Sequence, residues 1–287
     1  VGFKLILLRI FENHNMQSFS DFISKNFTFS HSVKTINKAD GNVKIENGVE
    51  STGTALKGWT KANFPAADLG KAEVQVCANG ADKDTKAKLE FSSCGITGVD
   101  LTLSANASPN VTVEAAYAQN NFGLKSEINT DLGAAASLKQ SLWASHSGVK
   151  ATADLDVCLA AGELKDYNLK VDYKQKDLQA SMKTSNGRNV LTGWVAQNFC
   201  PGFYWGAQVQ HNLAKSATVG AVGASFKIDD ATVVHKLVNT DGQLQVAVEH
   251  RLSNPAVKVN SACEFDVLGS NCCAAKKYGF GITFGDF

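Results

Sequence analysis

The sequence predicts an all-β membrane protein: a closed 19-stranded transmembrane β-barrel with a short N-terminal amphipathic helix. Three observations carry this. Apolar and polar residues alternate with period two along nearly the whole chain, the pattern of strands with one apolar and one polar face. The alternating segments recur about every 14 residues, which fits a membrane-crossing strand of ~9–11 residues and a turn of about three. The polar face is too highly charged for a dry core. It carries Lys34, Lys88, Glu90, Asp100, Glu114, Asp154, Asp156, Lys170 and Asp172.

Residues 1–26 form an N-terminal segment. Its longest apolar cluster is Leu5 to Leu8, with Ile10 and Phe11 beyond Arg9. No stretch reaches the ~18 apolar residues of a transmembrane helix, and no small-residue cleavage site follows this cluster as it would in a secretory leader. The chain starts at Val1 and its first methionine is Met16. Residues 1–15 are therefore expected to be a processed end or upstream sequence. Next come Phe19, Phe22, Ile23 and Phe27, spaced i, i+3, i+4 and i+8. With Ser18 as N-cap and Asp21 in the first turn, this spacing predicts an amphipathic helix of two to three turns.

Residues 27–287 read as one barrel domain. Strands are predicted near 27–35, 43–50, 53–60, 72–78, 86–92, 99–105, 110–117, 122–129, 134–143 and 149–156. Nine more follow near 167–173, 177–183, 189–196, 202–210, 216–226, 231–238, 242–250, 256–265 and 276–284. The alternation is clearest in Tyr167, Leu169, Val171 and Tyr173, and in Tyr278, Phe280, Ile282 and Phe284. Turn signals fall at Ala39-Asp40-Gly41-Asn42, Asn47-Gly48, Asn79-Gly80, Ser185-Asn186-Gly187 and Thr240-Asp241-Gly242. A soluble sandwich of this size would show linkers and unequal loops. Uniform hairpins fit a closed barrel in lipid instead, because no strand edge can be left unpaired there. An odd strand number forces one parallel pair, predicted between 27–35 and 276–284. Trp59, Trp143, Trp194, Tyr204 and Trp205 lie near strand ends and are expected to form aromatic girdles at the membrane interfaces.

Composition excludes several functions. Lys plus Arg is 28 against 27 Asp plus Glu, a net charge of +1, so the basic excess of a nucleic-acid binder is missing. The seven cysteines are odd in number and contain no C-x-x-C, which argues against a disulfide framework or a zinc site. The vicinal Cys272-Cys273 pair reads as two small residues beside a turn. No histidine spacing suits a metal, and no phosphate-binding or nucleophile motif occurs. Neither catalysis nor a cofactor is expected.

The last strand, Lys277-Tyr278-Gly279-Phe280-Gly281-Ile282-Thr283-Phe284, resembles the sorting signal that ends mitochondrial outer-membrane barrels, above all the eukaryotic porins or voltage-dependent anion channels. Lys277, Gly279, Ile282 and Phe284 are its marker positions. Asp21-Phe22-Ile23-Ser24-Lys25-Asn26-Phe27 is similar in type to that family's start, and Gly98-Val99-Asp100-Leu101-Thr102-Leu103 through Ser108-Pro109-Asn110 to its central strand and turn. The family's mitochondrial channel is the known 19-stranded exception among barrels, so the strand count is not independent of the resemblance. Two departures stand out. The family's central Gly-Leu-Lys is here Gly98-Val99-Asp100, while the literal Gly123-Leu124-Lys125 falls later. Val76 occupies the fourth-strand, lipid-facing position that is acidic in many metazoan members.

The resemblance implies a voltage-dependent, weakly anion-selective pore for metabolites in the mitochondrial outer membrane. Phe19, Asp21, Phe22 and Ile23 would belong to a gating helix inside the lumen. Lys25, Lys34, Lys88, Lys170 and Lys236 are the candidate pore-lining cations, drawing in anionic metabolites such as nucleotide phosphates. Lumen carboxylates oppose that preference. Membrane lipids are expected partners, and assembly is expected as a homo-oligomer or within a larger membrane complex. The alternatives are a protein-import barrel, which would carry longer extensions, and a non-conducting structural barrel.

Overall fold

The computed structural model describes residues 18–39, 42–51, 56–65, 70–78, 85–92, 97–107, 110–131, 136–185, 187–268 and 275–285. The cluster at Leu5 to Phe11, Met16, the Asp40-Gly41 and Asn79-Gly80 turn residues and the Cys272-Cys273 pair lie outside them.

Helix α1 (Phe19–Lys25) comes first. Strands β1 (His31–Ala39), β2 (Val43–Ser51), β3 (Leu56–Pro65), β4 (Gly70–Ala78) and β5 (Lys86–Ser92) follow. Next are β6 (Val99–Asn106), β7 (Asn110–Ala118), β8 (Phe122–Asp131), β9 (Ala136–His146) and β10 (Val149–Cys158). Then come β11 (Glu163–Gln175), β12 (Leu178–Ser185), β13 (Val190–Cys200), β14 (Phe203–Asn212) and β15 (Ala217–Lys227). The last are β16 (Thr232–Asn239), β17 (Gln243–Ser253), β18 (Ala256–Asp266) and β19 (Ala275–Gly285).

Every strand pairs with its sequence neighbours in one 19-stranded sheet, and β1 closes the ring on β19. That closing pair is parallel, with Ser32 opposite Gly281 and Val33 opposite Ile282. The other neighbours run antiparallel, as an up-and-down chain requires. The predicted partner segment was right but its start was not. Phe27 to Ser30 is no strand. Phe27 is buried edge-on against Phe22 of the helix, 5.6 Å between centroids. The linker backbone at Thr28 and Phe29 passes directly over Gly279, where a Cβ would stand 2.2 Å from the Thr28 carbonyl oxygen. Strand pairing therefore begins only at His31.

The alternation sorts side chains cleanly. Outward positions expose Val76, Leu142, Met182, Val209 and Val222, each more than half accessible. In water such a surface would drive aggregation; against lipid tails it is the solvated face. Among the described residues no helix is long and apolar enough to span a membrane, so the crossing is made by strands. Two polar side chains that face outward bond each other, Thr60 Oγ1 to Asn47 Oδ1 at 3.0 Å.

Turn chemistry explains several reversals. Ser147 and Gly148 both have positive φ, at 48° and 85°, the type I′ geometry that matches strand twist in a two-residue hairpin. The Thr240–Gly242 turn falls where predicted. Asn47-Gly48 does not turn: both lie inside β2, and Gly48 is needed there because the Trp59 indole covers it.

Closure makes a direct prediction. Cysteines replacing Ser32 and Gly281 should cross-link under mild oxidation and speed migration on a denaturing gel. The Ser32/Thr283 cysteine pair, two residues out of register, should not. Efficient cross-linking of the second pair alone would contradict the register.

Candidate functional site

The inner face is mostly polar and charged, and the helix sits on an apolar seat within it. The helix has seven residues, well short of the ~12–15 needed for stability alone. Its local signals are in order. Ser18 Oγ accepts from the Asp21 N–H at 3.1 Å. Asp21 lies in the first turn and Lys25 in the last, and they pair at 3.0 Å. Both ion-pair partners are largely exposed, so the pair contributes about 0.3–0.5 kcal/mol. Tertiary burial must supply the rest.

Phe19 and Phe22 supply it. Both are fully buried, stacked 5.5 Å apart. They pack with Phe27, Ala196, Leu237, Ala247 and Ala262, while Ile23, Trp194 and Tyr204 border the cluster. Gly206 of β14 and Gly223 of β15 face each other across the ladder. A Cβ on Gly206 would lie 2.1 Å from Phe19 Cδ2, and one on Gly223 would lie 2.4 Å from Phe22 Cε1. Only glycine leaves room for the rings at those two positions. Burying a phenylalanine contributes roughly 1.5–3 kcal/mol.

Beside the helix C-terminus is a polar crevice of about 350 Å³, lined by Lys25, Asn26, Ser30, His235, Glu249, Lys258 and Asn260. Glu249 there holds Lys258 at 2.5 Å and Arg251 at 2.7 Å. Further round, Lys277 pairs with the buried Glu264 at 3.1 Å, and Gln245 donates to the same carboxylate at 2.7 Å. Among the described residues no group of acidic, cysteine and histidine side chains could hold a metal ion.

Four of the five predicted pore lysines face the lumen. Each has a carboxylate partner: Lys25 with Asp21, Lys34 with Glu46 at 2.7 Å, Lys88 with Glu90, and Lys170 with Asp172 at 2.8 Å. Lys34 also stands over the Trp59 ring at 5.5 Å, and Lys150 stands over Trp143 at 4.4 Å. Lys125, of the literal Gly-Leu-Lys, faces the lumen and pairs with Glu114 at 2.8 Å. Val76 points outward, as expected.

Lys236 is a correction. It sits opposite Ala224 and Val246 on the outer face, while its neighbours His235 and Leu237 point inward to Phe22 and the apolar seat. The aromatic girdle needs correcting too. Trp59, Trp143, Trp194 and Tyr204 share lumen-side positions, the first two packing over Gly48 and Gly123. Of the five, Trp205 alone faces out. The outward aromatics gather instead at the end holding the β3–β4, β7–β8, β13–β14 and β15–β16 connections. They include Phe64, Tyr117, Phe122, Phe199, Phe203 and Phe226. Of the sorting-signal positions, Ile282 and Phe284 face lipid, Gly279 admits the linker, and Lys277 points inward.

A closed, lipid-facing barrel with a wet, charged interior and a helix docked inside it is a membrane pore. The family model of eukaryotic porins matches residues 17–281, and the chain belongs to that family, which makes it a pore-forming outer-membrane barrel. Solved structures of two mutants of Rh. blastica porin are similar at 11% and 10% identity, with TM-scores of 0.46 and 0.44. Each alignment covers 82% of this chain and 92% of the other. No curated protein matches the sequence.

Docking and helix formation should be one event. Phe22→Ala removes a buried ring, at a cost of roughly 3–5 kcal/mol. Gly206→Ala should expel Phe19. Either should convert the backbone amides near Asn26 from slow to fast hydrogen exchange without loss of β circular dichroism. The hydrogen bond from Lys25 holds the Asp21 carboxyl below its ordinary 3.8. A depressed carboxylate contributes at every pH above that value and fails only as pH falls through the folded one. Amide protection in the helix should therefore be equal at pH 7 and pH 5.

Proposed function

We propose that the protein is a voltage-dependent, weakly anion-selective pore through which metabolites diffuse across the mitochondrial outer membrane. The observation that carries this reading is the lumen. With strands ~4.8 Å apart and tilted ~40°, a ring of this size has a backbone diameter of ~35–40 Å, too wide for side chains to fill. The helix lies against β13 and β14, so it narrows the passage without plugging it. The protein acts as a conduit and not as an enzyme, and needs no cofactor.

Weak selectivity follows from the pairing of charges. Carboxylates offset Lys34, Lys88 and Lys170. Lysines over indole rings, Lys34 and Lys150, keep cations at the lumen surface. A slight positive bias favours anionic metabolites such as nucleotide phosphates. Voltage acts on the charges of wall and helix together, moving the helix off its glycine seat. The mitochondrial location rests on the family and on the last strand, whose outward Ile282 and Phe284 fit a sorting signal read at the lipid face.

The test is the reversal potential in a salt gradient across a planar bilayer. The native chain should give a small potential of anion sign. Lys34→Glu with Lys170→Glu should carry it to cation sign. A native potential of cation sign, or no response to the double substitution, would contradict the proposal.

A further inference from the structure

The outer wall carries a charge that the pore does not use. Among the described residues, Lys236 is the one charged side chain on an outward strand position away from the rims. Val234 and Val238 flank it on the same face, and Ala224 and Val246 stand across the ladder. Its Cα is four residues into β16. At ~3.3 Å rise and ~40° tilt this is ~10 Å below the strand end. The apolar band is ~25 Å tall, so the backbone here lies in hydrocarbon. A lysine there is costly at the midplane and nearly free at the interface.

The side chain takes the route that avoids the cost. It leans back toward the β15–β16 end, with its ammonium 5.7 Å from the centroid of Phe226. Phe226 stands opposite Val234, two residues nearer that rim. The ring is part of a cluster: Phe203 stacks on it at 5.5 Å, and Phe199 links Phe203 to Trp205. Trp205 pairs with Ala224, the neighbour of Lys236. A snorkelling cation thus stands over an aromatic cluster on a lipid-facing wall.

We propose that Lys236, over the Phe226 and Phe203 rings, forms a site on the outer wall for the phosphate headgroup of an anionic phospholipid. The ammonium supplies the charge, and the rings an apolar floor for the first acyl carbons. The site requires only that the wall face a bilayer. It does not depend on the pore's ion preference or its gating.

The test uses the full chain reconstituted with phosphatidylcholine alone or mixed with phosphatidylglycerol. Lipids retained after detergent extraction are counted by native mass spectrometry for the native chain, Lys236→Gln and Lys236→Arg. The native chain and Lys236→Arg should retain phosphatidylglycerol over phosphatidylcholine. Lys236→Gln should lose that preference by about fivefold, the weight of one lysine near an anionic surface. Single-channel conductance and reversal potential should be the same in all three, which separates this result from any failure of the pore reading. Equal retention by Lys236→Gln would overturn the proposal. So would a shifted reversal potential, which would place the lysine in the lumen. Loss of the bound lipid to millimolar inorganic phosphate would also overturn it, making the ligand a free anion.

Discussion

Backbone hydrogen bonding in a medium without water is the constraint on which the structure depends. Each unpaired N–H or C=O in hydrocarbon costs several kcal/mol. The sheet must therefore close, and with an odd number of strands it closes through one parallel pair, β1 on β19. That pairing fixes the parity of the wall. Once Ser32 stands opposite Gly281, inward and outward positions are set from one strand to the next around the ring. The apolar outer belt, the charged lumen and the sites of exception all follow from that assignment.

The helix depends on the same parity. It is too short to fold by itself and gains its structure from two phenylalanines seated where Gly206 and Gly223 leave the inner wall bare. Glycine within a strand normally weakens it. Here the loss is offset by ring burial, and the helix and its seat stand or fall together. The same device recurs without the helix: Trp59 covers Gly48 and Trp143 covers Gly123, aromatic side chains shielding cross-strand glycines on the lumen side.

Much of this was legible in the sequence because a two-sided wall writes itself as alternation. The strand positions and the helix with its Ser18 cap follow from pattern and capping chemistry, while the count of 19, and the parallel closure it forces, lean on the family resemblance as well. The errors fall where the pattern is degenerate. In Thr232–Asn239 both parities are apolar, Val233 and Leu237 on one face and Val234 and Val238 on the other, so nothing local says where Lys236 points. Its face is set by Leu237 joining the helix seat. Trp59 and Trp143 were placed by nearness to strand ends; the glycine facing each on the adjacent strand was the missed signal. Phe27 looks like the start of a strand because it continues an aromatic alternation, yet the helix claims it for the apolar seat. Ion pairs such as Lys88 with Glu90 and Lys170 with Asp172 lie two residues apart on one strand face and are local in sequence, whereas Lys34 and Glu46 meet only through strand register, which sequence does not show.

The central claim is that this barrel is an open conduit whose docked helix answers to voltage. Single-channel current of the full chain in a planar bilayer under a voltage ramp tests it most directly. The account predicts large conductance steps at low voltage that close to smaller substates at both polarities. A silent membrane from correctly folded barrel would contradict it, as would a large conductance that stays constant across the ramp.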